Sequence, residues 1–383
     1  MEAYIFVKHS IHPGMGAAWT MPTQPIENYS VRLSDVARRA DVSVVTVSRA
    51  LRSPEKVSKA TRARVQAAID ALGYVPNPAA QALASARSRL IGVVIPSLMN
   101  HIFADLLRGV MDALEGTPYT PQFVNTRYRL SREEDLLRVL ATQRPAGMIV
   151  SGIDQTPAAR QLLEAMGCPV VQVMETGPDP VDMMVGCDQQ EGGRAAVRHL
   201  IAQGYRRIGF LGARMDPRAQ RRLAGYRDIL AAHDLGDDAL VVTTPQTSGF
   251  ALGGRLMAEL LATAPDADAV FCANDDLALG ALFECQRRGL RVPEQIGIMG
   301  FNDLEVVSCS LPTLTSVRTF RYRTGQQAVE MILARLRGEA PAPATVDVGF
   351  ELMVRQSTQR QGAPAAAQSS PAPLPCPKRG PAP

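Results

Sequence analysis

The stretch Leu33-Ser34-Asp35-Val36-Ala37-Arg38-Arg39-Ala40-Asp41-Val42-Ser43-Val44-Val45-Thr46-Val47-Ser48-Arg49-Ala50-Leu51 reads as two short helices around one turn. Ser34 is the predicted cap of the first helix, and Val36, Ala37 and Ala40 fall on one of its faces. Asp41 stands where the chain must turn, and Ser43 is placed to cap a second helix running from Val44 to Leu51. Val47, Ala50 and Leu51 can pack back on the first helix, which leaves Val44, Val45, Ser48 and Arg49 facing outward. A third helix is expected to open at Ser58 and run through Thr61, Val65, Ala68, Ile69 and Leu72, with Gly73 as its stop signal.

Charge singles out the same region. Residues 31 to 89 carry 11 Lys/Arg against 4 Asp/Glu, a net +7, whereas the whole chain carries only +4. A basic module on a mildly acidic body points to a polyanion-binding head. If the second helix enters the major groove, its N-terminal end meets the base edges. Arg49 can then pair with guanine, and Val44 and Val45 can touch thymine methyls. Ser43, Thr46 and Ser48 suit phosphates, which set position rather than read sequence. Leu33, Ser34 and Arg52 complete this part of the candidate contact set. The plainer alternative is a three-helix bundle with a solvated basic face.

Outward from the head the composition changes twice. Residues 1 to 30 hold Pro13, Gly14, Gly16, Pro22 and Pro25 and show no periodicity, so a disordered arm is expected, with Met21 an alternative start. Residues 361 to 383 are dominated by Pro and Ala and are expected to be a disordered tail. Between about 89 and 360, β-rich runs alternate with helical spacing: Leu90–Ile95, Gly147–Val150, Val170–Val173, Arg207–Leu211, Ala269–Cys272 and Ile296–Gly300. Such alternation predicts parallel sheets covered by helices, with ligands bound at the carboxyl ends of the strands.

Several classes are disfavoured. Cys168, Cys187, Cys272, Cys285, Cys309 and Cys376 include no C-x-x-C pair, so reduced thiols in a cytoplasmic protein are expected. No apolar run is long enough for a membrane span, and the N-terminus lacks a secretory pattern. There is no G-x-G-x-x-G, no G-x-x-x-x-G-K-[ST] and no H-E-x-x-H, so neither enzymatic activity nor a cofactor or metal is expected. An enzyme on a doubly wound fold and a transport-type sugar-binding protein stay as competing readings. The first lacks a visible catalytic group, and the second leaves the helical head unexplained.

The head sequence, continued by V-S-K-A-T-R-A-R-V-Q-A-A-I-D-A-L-G-Y-V-P-N over residues 57 to 77, resembles the LacI/GalR family of bacterial repressors. Asp41 stands where that family usually has Gly, and aspartate tolerates a left-handed turn better than most residues. The resemblance implies a helix-turn-helix domain over residues 31–76 and a hinge helix and linker over 77–88. Asn77 and Ala80 match DNA-contacting positions of the hinge, and Leu83 matches a leucine wedged into a central minor-groove base step. Such a wedge kinks DNA. A helix this short is marginal alone, so its folding would be coupled to DNA.

For residues 89–360 the resemblance implies a two-lobed α/β core of the periplasmic-binding-protein type. The ligand would lie between the lobes, and the chain would cross between them near Asp188, Val317 and Thr345. Phe103, Arg222, Asn274 and Asn302 match effector-binding positions, and Arg214 and Arg318 could add positive charge. Phe103 could stack on a sugar, although it fits a core position equally well. Asn302 sits where many relatives carry Asp, and an amide there removes a negative charge. Within the family, P-S-L-M-N-H-I-F-A-D-L-L-R-G-V, L-G-A-R-M-D and V-F-C-A-N-D-D-L-A-L-G-A-L-F-E-C-Q-R-R-G-L-R-V-P resemble gluconate-utilisation repressors. The implied protein is a homodimeric regulator that binds double-stranded operator DNA and answers to a sugar or sugar acid.

Overall fold

A computed structural model describes residues 31–52, 54–74, 88–339 and 343–360. The expected arm, the hinge positions Asn77, Ala80 and Leu83, and the tail lie outside the described residues. The chain falls into two compact units, one before and one after the junction of residues 77 and 78.

The first unit has three α-helices: α1 (Leu33–Arg39), α2 (Val44–Arg52) and α3 (Lys59–Leu72). Their small apolar faces meet in one core made of Val36, Ala37, Ala40, Val47, Ala50, Val65, Ala68 and Ile69. The helices start and stop as local chemistry requires. Ser43 Oγ accepts from Thr46 N at 3.1 Å, and Ser58 Oγ accepts from Thr61 N at 3.2 Å. Asp41 adopts φ +50° in the turn, and Gly73 ends α3 at φ +60°. One expectation fails: Ser34 is not the cap. α1 begins two residues earlier, with Arg32 as its cap, because Asp35 Oδ2 reaches back to accept from Arg32 N at 2.9 Å, which leaves Ser34 inside the first turn.

The second unit contains two six-stranded sheets built on one plan. The first joins β1 (Leu90–Ile95), β2 (Thr120–Asn125), β3 (Gly147–Ser151), β4 (Val170–Glu175), β5 (Met183–Cys187) and β11 (Thr345–Asp347) in the order β11-β5-β4-β3-β1-β2. The second joins β6 (Ile208–Ala213), β7 (Val241–Thr244), β8 (Ala269–Cys272), β9 (Gly297–Asn302), β10 (Thr315–Thr319) and β12 (Phe350–Met353) in the order β12-β10-β9-β8-β6-β7. All pairings are parallel except β10 with β12. Strands covered on both faces need apolar side chains on both, and β3, β4, β5, β6, β8 and β9 are buried throughout.

The chain passes between the lobes three times. The first passage follows β5 at Asp188, as expected. The second and third fall later than expected. Val317 is still paired with Phe301 and Leu352, and Thr345 with Met184, so the chain leaves these strands only after Thr319 and after Asp347. Helices approach closely where glycine allows it. A Cβ on Gly225, in the helix Pro217–Ala232, would lie 2.1 Å from the Gln190 carbonyl oxygen of the helix Gln189–Ala202. That contact brings Arg222 beside Gln189.

Candidate functional site

Two surfaces carry chemistry, one in each unit. On α2, Val47 and Ala50 are buried, whereas Val44, Val45 and Arg49 are exposed and Thr46 and Ser48 are half-buried. Residues 44, 45, 48 and 49 share one arc of the helix, opposite the face packed on α1. Val45 is 62% exposed, and a β-branched apolar side chain held in water at the start of a helix has no packing role. Leu33 is half-buried and Ser34 exposed at the start of α1, and Arg52 ends α2.

In the second unit, a cavity of about 220 Å³ lies between the lobes, at the carboxyl ends of the strands. Position in the fold explains its lining. Asn100 and His101 follow β1, and Tyr128 follows β2. Arg214 follows β6, Ser248 follows β7, Asn274 follows β8 and Asn302 ends β9. Both sheets reverse strand order between their first and third strands, which is where open parallel sheets leave a crevice.

Three arginines reach this cavity from one lobe. Arg222 is buried and occupied: Nε and Nη2 donate to Gln189 Oε1 at 2.9 and 2.7 Å, and Nη1 donates to the Ala273 carbonyl at 2.6 Å. Its guanidinium also lies 3.8 Å from the Phe301 ring centroid. Burial pushes its pKa down to about 10. Arg218 is equally enclosed, with Nη1 3.4 Å from Ser151 Oγ of the other lobe. Burial opposes its charge, but Asp216 and Glu175 outweigh that and hold its pKa above the ordinary arginine value. Arg214 sits at φ +61° with its guanidinium 3.8 Å from the Tyr128 ring centroid, across the cleft.

The polar partners alternate with these cations. Asn302, at φ +108°, lines the cavity with Oδ1 buried and without a hydrogen-bond partner among the described residues. Asn274 Oδ1 accepts from Leu277 N at 3.1 Å and from Ser248 Oγ at 2.9 Å, so it caps the helix Asp275–Arg287 as well as lining the cavity. Burial pushes Asp275 up to about 7, although Ser316 Oγ and Leu304 N donate to it. Burial also raises Asp276, which His101 of the facing lobe partly offsets. Beside the cavity, Arg221 bridges the lobes, with Asp154 at 2.5 Å and Glu175 at 2.6 Å.

Two sequence candidates lie elsewhere. Phe103 has no exposed surface and does not line the cavity; its ring packs in the first lobe, 5.7 Å from the Arg218 guanidinium. A stacking platform for a sugar is therefore excluded in this geometry. Arg318 is drawn away by two carboxylates, with Nε 2.8 Å from Asp303 and Nη1 3.3 Å from Glu351. Sequence reasoning missed Arg218, Tyr128 and Ser248. For Arg218 a signal existed: Asp216-Pro217 is a cap followed by a first-turn proline, which puts residue 218 at a helix start just beyond a strand.

A helical head with an exposed basic, apolar-tipped helix, joined to a two-sheet core enclosing a polar cleft, defines a ligand-responsive DNA-binding protein. Residues 32–77 match the model of bacterial regulatory proteins, lacI family, and residues 197–358 match a periplasmic binding protein-like domain. The HTH-type transcriptional regulator GntR of Pseudomonas aeruginosa is 43% identical over 326 residues, covering 85% of this chain and 95% of the relative. A LacI-family regulator structure from Silicibacter pomeroyi superposes with TM-score 0.81 at 37% identity, covering 86% of this chain and 100% of that one. The lac repressor dimer bound to operator and the anti-inducer ONPF superposes with TM-score 0.75 at 28% identity, covering 86% and 99%. The chain belongs to the lacI family of bacterial regulatory proteins and is a helix-turn-helix transcriptional regulator, not an enzyme. No helix among the described residues is long and apolar enough to cross a membrane.

Proposed function

We propose that this regulator represses sugar-acid utilisation genes and that a gluconate-like acid, bound between the core lobes, controls its grip on operator DNA. The observation that carries the reading is the enclosure of Arg214, Arg218 and Arg222 in one interlobe cavity, where Asn302 adds no negative charge to those of Asp216, Asp275 and Asp276 and burial favours the protonated form of the latter two. Guanidinium groups in a site shielded from water favour an anionic ligand over a neutral one. Asn302 Oδ1 and Asp276 supply acceptors for hydroxyl groups.

At the other end, Arg49, Val44 and Val45 read bases, while Ser43, Thr46, Ser48 and Arg52 hold phosphates, with Leu33 and Ser34 at the rim. Asn77, Ala80 and Leu83 act in the minor groove. Two copies of the chain pair through their cores and present two heads to a near-palindromic site, in the cytoplasm where the DNA is. Ligand acts through its different affinity for the gripping and released arrangements.

Fluorescence anisotropy with labelled DNA from the region upstream of the gene tests this. Tight binding that weakens steeply with salt, and that changes with gluconate or phosphogluconate but not with neutral sugars, is expected. Salt-sensitive binding that responds only to neutral sugars would remove the sugar-acid reading.

A further inference from the structure

Arg222 is the arginine that the sequence singles out, yet its guanidinium is committed to Gln189 and Ala273. Arg218 is the opposite case. It is 8% exposed and lines the cavity. Among the described residues its guanidinium has one hydrogen bond, the 3.4 Å contact to Ser151, and one ion-pair approach, 4.0 Å from Asp216. Asp216 is itself used as a helix cap, its Oδ1 accepting from Ala219 N at 3.2 Å. An arginine offers five N–H donors in a planar fork, and a buried one is stable when that fork is filled.

We infer that Arg218 is the residue that reads the charge of the effector, taking the carboxylate of a polyhydroxy acid in a two-point contact, beside Arg222, which Gln189 and Ala273 hold in place along the same cavity. This rests on the sugar-acid reading above. The surroundings fit one carboxylate better than a phosphate dianion. Asp216, Asp275 and Asp276 line the same cavity, and Arg214 is stacked on Tyr128. A second negative charge would meet those aspartates with no further uncommitted buried guanidinium to balance it. Asn302 Oδ1, which lines the same cavity and has no partner among the described residues, accepts a hydroxyl of the polyol chain. Phe103 then has a role the sequence did not suggest: its ring lies within cation–π reach of the Arg218 guanidinium, 5.7 Å from centroid to guanidinium.

Calorimetry on the full chain decides this, with gluconate, 6-phosphogluconate and glucitol, the neutral alditol with the same carbon count. Wild type is expected to prefer gluconate to glucitol by roughly 30-fold or more. Arg218→Gln should collapse that preference towards unity, with gluconate affinity falling far more than glucitol affinity, since the charge contact serves gluconate alone. Arg218→Lys, which keeps the charge and loses the fork, should recover part of the preference and guards against misfolding of the first variant. A gluconate preference that survives both substitutions would overturn the role of Arg218 and leave the sugar-acid reading standing. Wild type that binds glucitol as tightly as gluconate would overturn both. Tighter binding of 6-phosphogluconate through its phosphate, insensitive to Arg218→Gln, would overturn the carboxylate contact.

Discussion

The head and the cleft place their chemistry in opposite ways. In the head the candidate contacts are neighbours in sequence, exposed on one arc of a nine-residue helix, and the core beneath them is small. In the cleft they come from separate strand ends and from the helix Pro217–Ala232, are buried or half-buried, and several answer to partners far away in sequence, as Arg218 does to Ser151 and Arg222 to Gln189. An exposed contact can be removed with little effect on its unit. A buried one is also part of the structure, so its loss changes binding and stability together. The two units should therefore fail differently.

The largest effect is expected from Val47→Asp, which puts a charge where Val47 has no exposed surface. It should unfold the head and abolish DNA binding, while calorimetric ligand affinity of the core stays unchanged; a parallel loss of ligand affinity would show that the units do not fold apart. Arg49→Ala should reduce specific DNA affinity by about 1–3 kcal/mol and leave non-specific affinity closer to wild type, measured by anisotropy on matched and scrambled duplexes.

In the core, Asp275 is held protonated up to about pH 7 by burial, far above its unfolded value. The folded state therefore binds the extra proton, and this group's contribution to stability falls as pH rises from about 4 to about 7, by up to about 1.4 kcal/mol per pH unit. His199, which burial pushes down from 6.5 to about 4, works in the opposite direction over most of that window. The test is therefore a difference: denaturant unfolding of Asp275→Asn against wild type should show the variant gaining relative stability as pH rises. Parallel curves would mean that Asp275 does not titrate in this range.

Asn302→Asp should weaken gluconate binding roughly tenfold, about 1.4 kcal/mol, because it sets a carboxylate in a cavity shared with the ligand's own charge. Glucitol, which carries no charge and whose hydroxyl the new carboxylate can still accept, is the control and should not weaken in parallel. The smallest effect is that of Asn274→Ala, which removes the cap on Leu277 N and should cost about 1 kcal/mol of core stability.

What the sequence could show follows from the same contrast. The head was legible because caps, turn and apolar faces act within a few residues: Asp41 in the left-handed region and Ser43 over Thr46 are local chemistry. Even so, Ser34 was misjudged, since Asp35 reaches back to Arg32 and starts the helix earlier. Six strand runs were legible as well, those of β1, β3, β4, β6, β8 and β9, but β2, β5 and β10 were not singled out, and the short strands β7, β11 and β12 carry mixed patterns that gave no signal. In the cleft, residue type gave Arg222, Asn274 and Asn302. It could not tell which arginine has its donors filled, because Gln189 and Ala273 are brought to Arg222 only by the fold. Phe103 and Arg318 failed for a related reason: burial beneath the first lobe and pairing with Asp303 are tertiary facts.

The central claim is that the ligand in the core and the DNA on the head share one free energy. Coupling of this kind is reciprocal, so it can be read from the ligand side. The Kd of gluconate is measured by calorimetry on the full chain, alone and saturated with its upstream operator duplex. The account predicts that the two values differ by roughly 5- to 150-fold, and by the same factor with which gluconate changes operator affinity. Identical values with and without operator would contradict it.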